Sequence, residues 1–202
     1  MVREAWELHK TTHGEQHRET FTAMEVVGII LDSMGRSTEA EPIHRQCLQG
    51  REAALGREDH DTLCSMGNLA GALWRMDRVE EAAQLQRTVL VILKRIQGPE
   101  HPETLTAMNN LSASLDKMGH IEEALEMKQE VLEIRTRVLG PEHPDTLLSM
   151  ATLAFSLYRT EKFAEAAELL GRCLEAMERV LGADHPDTVG TRQSLEAVRR
   201  RL

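Results

Sequence analysis

Five glycines, Gly14, Gly56, Gly98, Gly140 and Gly182, each open a related heptad: GEQHRET, GREDHDT, GPEHPET, GPEHPDT and GADHPDT. They stand 42 residues apart without slippage. Other columns keep the same step, among them Met24, Met66, Met108 and Met150, and Thr20, Thr62, Thr104, Thr146 and Thr188. A constant period of this length dictates a repeat array, in which a small supersecondary unit buries its apolar face against the next copy.

Within a repeat the apolar spacing is helical. Leu105, Met108, Leu111 and Leu115 share one stripe, and after Gly119 a second runs through Ile121, Ala124, Leu125, Val131, Leu132, Val138 and Leu139. Only 3% of residues are aromatic, which argues against sheets. Each repeat therefore reads as two helices, and the fold as all-α: an α-solenoid, or superhelix, of antiparallel helix pairs. Gly35 and Gly119 close the first helix with a left-handed residue, a place that Asp77 and Glu161 take in the other repeats. Asp tolerates that conformation better than Glu.

The heptad reads as punctuation between repeats. Its glycine supplies a left-handed cap to the second helix, His or Asp caps the next helix, Pro fits the first turn, and an acidic residue faces the positive helix end. In the second repeat Asp59 is the cap and His60 replaces Pro. The expected organisation is one domain over 1–202, with repeats at 14–55, 56–97, 98–139 and 140–181 and a terminal helix in 182–202. Residues 1–13 read as the latter part of a second helix, Trp6 falling in register with Leu48, Leu90, Leu132 and Leu174. Both ends look unfinished, as in a piece of a longer array.

A formal charge of −9 repels phosphate backbones and anionic lipid surfaces, so neither nucleic acid nor membrane is an expected partner. There is no signal-peptide pattern and no long apolar window, and Cys47, Cys64 and Cys173 form no CxxC. A soluble cytoplasmic protein with reduced thiols is expected.

The NLA of Asn68–Ala70, the EEA of Glu80–Ala82 and Glu122–Ala124, and small Ala at the helix contact resemble tetratricopeptide repeats. The repeat length and the LGPEHPDT of Leu139–Thr146 are similar to the kinesin-light-chain type, which also forms C-terminal arrays in NACHT/NB-ARC signalling proteins. The resemblance covers essentially the whole chain. It implies a non-catalytic protein-interaction scaffold whose concave groove receives a peptide, helix or loop of a partner. Two alternatives are a sensor or regulatory domain of a larger nucleotide-binding switch protein, and an array that self-associates through its end surfaces. The chain departs from the family pattern where a large aromatic of the second helix is replaced by His44, Gln86, Lys128 and Leu170, and where Val26 and Thr152 stand for the groove Asn of Asn68 and Asn110.

The histidines His17, His101, His143 and His185 recur once per repeat. Packed helices stand about 10 Å apart, whereas zinc holds its ligands at about 2 Å, so capping and not metal binding is expected. The pairs Glu80–Glu81 and Glu122–Glu123 open second helices and read as first-turn acids. With no P-loop, GxGxxG or GxSxG, neither enzyme nor cofactor is expected. The columns Met24/66/108/150 and Met34/76/118 read as core.

Matching the tetratricopeptide register places a candidate peptide-binding groove on the first helices. It takes Asn68, Trp74 and Arg75 from the second repeat, Asn109, Asn110 and Lys117 from the third, and Phe155, Tyr158 and Arg159 from the fourth. Asn can hold a bound main chain by donating and accepting. Arg75, Lys117 and Arg159 form a basic column on an acidic chain, with Trp74 and Tyr158 beside it. A protein or peptide with an acidic stretch next to an apolar anchor would suit that face. The competing reading is that last-turn cations complement the helix dipole.

Overall fold

The computed structural model describes residues 11, 14 and 17–202. The helix expected over 1–13, with Trp6, lies outside the described residues apart from Thr11. All regular structure among the described residues is helical: α1 (Arg18–Ser33), α2 (Ser37–Leu55), α3 (His60–Arg75), α4 (Val79–Ile96), α5 (Pro102–Met118), α6 (Ile121–Leu139), α7 (Pro144–Arg159), α8 (Phe163–Val180) and α9 (Pro186–Arg199). None of them is long and apolar enough to cross a membrane.

The chain divides into two compact halves, one ending at Ile96 and the other spanning Gln97–Leu202. In the first, α1 to α4 pack each on the next, and α1 also touches α3. In the second, α5 to α9 pack in the same sequential way. Short links between consecutive helices make neighbours antiparallel.

The first helix of every repeat starts on a side-chain cap. His17, His101, His143 and His185 each accept through Nδ1 from the backbone N–H two residues on, at 3.2 to 3.3 Å. Asp59 does the same for Asp61 at 2.9 Å. The histidines expected to punctuate therefore do so, satisfying one of the donors that a helix start leaves open.

The joint that ends each first helix is one motif used four times. The N–H after the positive-φ residue returns to the carbonyl five residues back at 2.9 Å: Arg36 to Leu31, Arg78 to Leu73, His120 to Leu115 and Lys162 to Leu157. The residue before it takes φ of 73° at Gly35, 64° at Asp77, 84° at Gly119 and 60° at Glu161. This Schellman geometry needs the left-handed region, and the packing of the two helices imposes it even on Glu161.

The glycine that opens each heptad is more constrained than expected. Gly56 and Gly140 combine φ of 88° and 93° with ψ of 167° and 161°, an extended conformation at positive φ and not the left-handed helical one. That region is essentially closed to residues with a Cβ.

The methionine columns separate. Met24, Met66, Met108 and Met150 are at most 2% exposed and sit in the core. Met34 is 62% exposed, because it stands at the helix end where the chain turns away, which corrects its expected place in the core.

Candidate functional site

Buried polar seams tie first helices together within each half. In the first half, Arg51 rises from α2 between α1 and α3. Its Nη1 donates to Glu25 Oε1 at 2.9 Å, to the Asp61 carbonyl at 2.9 Å and to Ser65 Oγ at 2.8 Å. Asn68 joins the same carboxylate, donating through Nδ2 to Glu25 Oε1 at 2.9 Å. At the other end of the seam His44 Nε2 lies 3.0 Å from Asp32 Oδ2, and Arg75 Nη2 lies 2.7 Å from the same oxygen. Burial pushes the Asp32 carboxyl up, but hydrogen bonds from Ser37, Arg75 and His44 outweigh it and hold the group below the ordinary carboxylate value.

The second half repeats the arrangement 84 residues on. Arg135 enters from α6 and donates to the Asp145 carbonyl at 3.1 Å and Ser149 Oγ at 2.8 Å. Lys128 bonds Asp116 and also donates to Ser156 Oγ at 2.6 Å, and Arg159 stands 4.0 Å from Asp116. Each seam ties one first helix to the next through the second helix between them.

The nine expected groove residues fall on these helices with different freedom. Asn68 is half-buried and engaged with Glu25, and Arg75, although exposed, is engaged with Asp32. Trp74, Asn110 and Lys117 are exposed, and Asn109 is half-buried. Phe155 is 63% exposed, Arg159 is exposed, and Tyr158 is half-buried with its ring edge-on to Phe163 at 5.4 Å. The structure thus brings Phe155, Tyr158 and Arg159 onto one helix face.

Beside that face lies a cleft of about 820 Å³ between α7 and α9, floored by α8. Leu148, Ala151 and Phe155 form one wall, Gly190, Ser194 and Ala197 the other, and Leu170 and Met177 the floor. Gly190, where an added Cβ would meet nothing within 4 Å, is the residue that sequence reasoning missed as part of a site, whereas Leu148, 57% exposed, falls in the same tetratricopeptide register as the expected groove residues. The signal was available: in the column Arg51, Leu93, Arg135, Met177 charge alternates with apolar character at twice the repeat length.

Among the described residues no group of three His, Cys, Asp or Glu side chains could hold a metal ion. Burial pushes the Cys173 thiol up to about 11 and raises that of Cys47. Cys64 is exposed, its Sγ 3.8 Å from His60 Nδ1.

The tetratricopeptide repeat profile matches residues 61–137 and 117–179, and a second profile of the same description matches 20–61. Two crystal structures of nearly identical TPR-like repeats of Podosopora anserina, assigned to a kinesin light chain, are similar over most of the chain. One is 25% identical, covers 89% of this chain and 85% of its own, and superimposes with a TM-score of 0.81. The other is 24% identical and covers 92% and 94%, with a TM-score of 0.77. BtubC (BKLC) from P. vanneervenii is 22% identical, covers 99% of this chain and 79% of its own, and gives a TM-score of 0.80. No curated protein sequence matches the chain.

Proposed function

Because the chain belongs to the tetratricopeptide repeat family, whose arrays are non-catalytic protein-interaction scaffolds, and carries repeats of the kinesin-light-chain type, we propose that it binds a peptide, helix or loop of a partner protein on the inner faces of its first helices. The observation that carries this reading is the exposure of large apolar side chains there. Ile29 on α1 is 47% exposed and Phe155 on α7 is 63% exposed, and both occupy the same position of the repeat. Leu148 and Trp74 add to it at 57% and 37%. Apolar side chains on a face that solvates only part of them are the usual anchors of a partner.

An acidic stretch of the partner would meet Lys117 and Arg159 in the second half. Arg75 contributes less than Arg159, since it lies 2.7 Å from Asp32 whereas Arg159 stands 4.0 Å from Asp116. Cytoplasmic residence belongs to the same reading, as the compartment that keeps three thiols reduced.

The test is panning of a random peptide library on the purified chain, with binders re-measured against Phe155→Arg, Ile29→Arg and the outer-face control Val91→Arg. Inner-face variants are expected to weaken the binders at least about tenfold, equivalent to 1.4 kcal/mol. Binders that respond to Val91→Arg alone would refute the inner-face reading.

A further inference from the structure

The cleft between α7 and α9 differs in kind from the two seams built on Arg51 and Arg135. Where Arg135 fills the seam between α5 and α7, the residue one repeat later is Met177; Leu170 follows Lys128, Tyr158 follows Asp116, and Val198 follows Ser156. Arg135, Lys128 and Asp116 have thereby lost their charge and Ser156 its hydroxyl, whereas Ser149 keeps a hydroxyl in Thr191 and Arg159 keeps its charge in Arg201. Arg201, one repeat after Arg159, turns onto the Phe163 ring at 5.2 Å instead of reaching a carboxylate. What the seams of Arg51 and Arg135 fill with buried ion pairs and hydrogen bonds is here an open, largely apolar trough.

Its walls suit one backbone geometry. Two hydroxyls on them are already engaged, Thr191 donating to Met177 Sδ at 3.2 Å and Ser194 to the Gly190 carbonyl at 2.9 Å. An extended peptide laid along apolar walls would leave its own N–H and C=O groups without partners, whereas a helix satisfies them internally. The trough runs the length of α7 from Pro144 to Tyr158, which a helix of about 14 residues would span at about 1.5 Å per residue.

Charge gives that helix a direction. At the end where α7 and α9 begin stand Asp145 and Asp187, with side chains 55% and 72% exposed. At the other end stand Arg159 and Arg200, 46% and 79% exposed. Ordinary helices carry acids in the first turn and bases in the last, and neighbouring dipoles prefer to oppose.

We propose that this trough receives an amphipathic α-helix of a partner protein, antiparallel to α7 and α9, with its acidic first turn at Arg159 and Arg200 and its basic last turn at Asp145 and Asp187. The proposal rests on the inner-face reading above and narrows it to one helix class at one seam.

The probe is a synthetic 16-residue peptide, acetylated and amidated, with Leu at i, i+3, i+4 and i+7 spacing, Glu in its first turn and Lys in its last. Two controls share its composition, one with the charged turns exchanged and one with a central Pro. Fluorescence anisotropy measures affinity and circular dichroism the helix gained on mixing. The parent probe is expected to gain helix on binding, the exchanged probe to bind at least about tenfold weaker, and the Pro probe not to bind.

Gly190→Leu places a side chain in the empty trough on a helical residue that tolerates it, so binding is lost while the chain's own helicity is kept. Phe155→Arg tests the opposite wall independently. Binding that survives both variants, equal binding of the Pro probe, or no binding of the parent overturns the proposal. So does concentration-dependent dimerisation in light scattering that Gly190→Leu abolishes, since a second copy would then be the occupant. Library binders that are extended yet sensitive to Phe155→Arg would sink the helix while leaving the inner-face reading intact.

Discussion

Arg51, 2% exposed, donates to Glu25 across 26 residues of chain and at the same time holds the Asp61 carbonyl and Ser65. One side chain of α2 thereby connects the middle of α1 to the first two turns of α3. Truncating it leaves the half-buried Glu25 carboxylate without its cation, held only by the neutral donors Asn68 and Ser65, and takes from the Asp61 carbonyl its side-chain donor. Arg51→Ala is expected to cost about 3 kcal/mol in urea denaturation. Pairing Arg51→Met with Glu25→Ala is expected to recover most of that loss, because Met177 serves at the equivalent position with no charge to satisfy.

The four Schellman joints allow a paired test of backbone strain. Glu161 adopts φ of 60° where Gly119 adopts 84° at the same repeat position. Glu161→Gly is expected to stabilise by about 1 kcal/mol and Gly119→Glu to destabilise by a similar amount, as read from thermal unfolding.

Gly140 is the harsher case, with φ of 93° and ψ of 161°. Gly140→Ala is expected to destabilise by about 2 kcal/mol, or to unwind the last turn of α6, visible as lost protection of the Leu139 amide in hydrogen exchange.

The thiols should sort by burial. Cys173, pushed up to about 11, and Cys47, raised by burial and donating to the Phe21 carbonyl at 3.3 Å, are expected to resist iodoacetamide at pH 8 in the folded chain. Exposed Cys64 is expected to be alkylated first. Mass spectrometry that finds Cys173 labelled at the rate of Cys64 would contradict the packing of α8.

Acid should weaken the first half through Asp32. Its folded carboxyl is held below its unfolded value of about 3.9, so its contribution is complete above that pH and is lost as pH falls through the folded value. Asp61, lowered chiefly by the Arg18 hydrogen bond, acts in the same direction. Asp32→Asn is expected to lower the melting temperature at pH 7 and to flatten its decline between pH 4 and pH 2.

The period stood in the columns themselves. The two-helix repeat, the His and Asp caps and the left-handed joints were legible because each is set by residues within a turn or two of one another, whereas the heptad glycine adopts an extended conformation at positive φ that its letter alone did not distinguish. His143 caps α7 from two residues away, and Glu161 closes it through bonds to its own last turn. Such local geometry repeats whenever its letters repeat. Tertiary packing decided instead which of the similar positions became alike in environment. Asn68 looked available for a ligand and is engaged with Glu25, 43 residues earlier; Arg75 looked like a free cation and neutralises Asp32. The open seam between α7 and α9 follows from Met177, Leu170 and Val198 meeting in space from two separate helices. A one-dimensional period counts residues in a column, while burial and charge depend on which columns face each other across a seam, and only the packed helices bring those columns together.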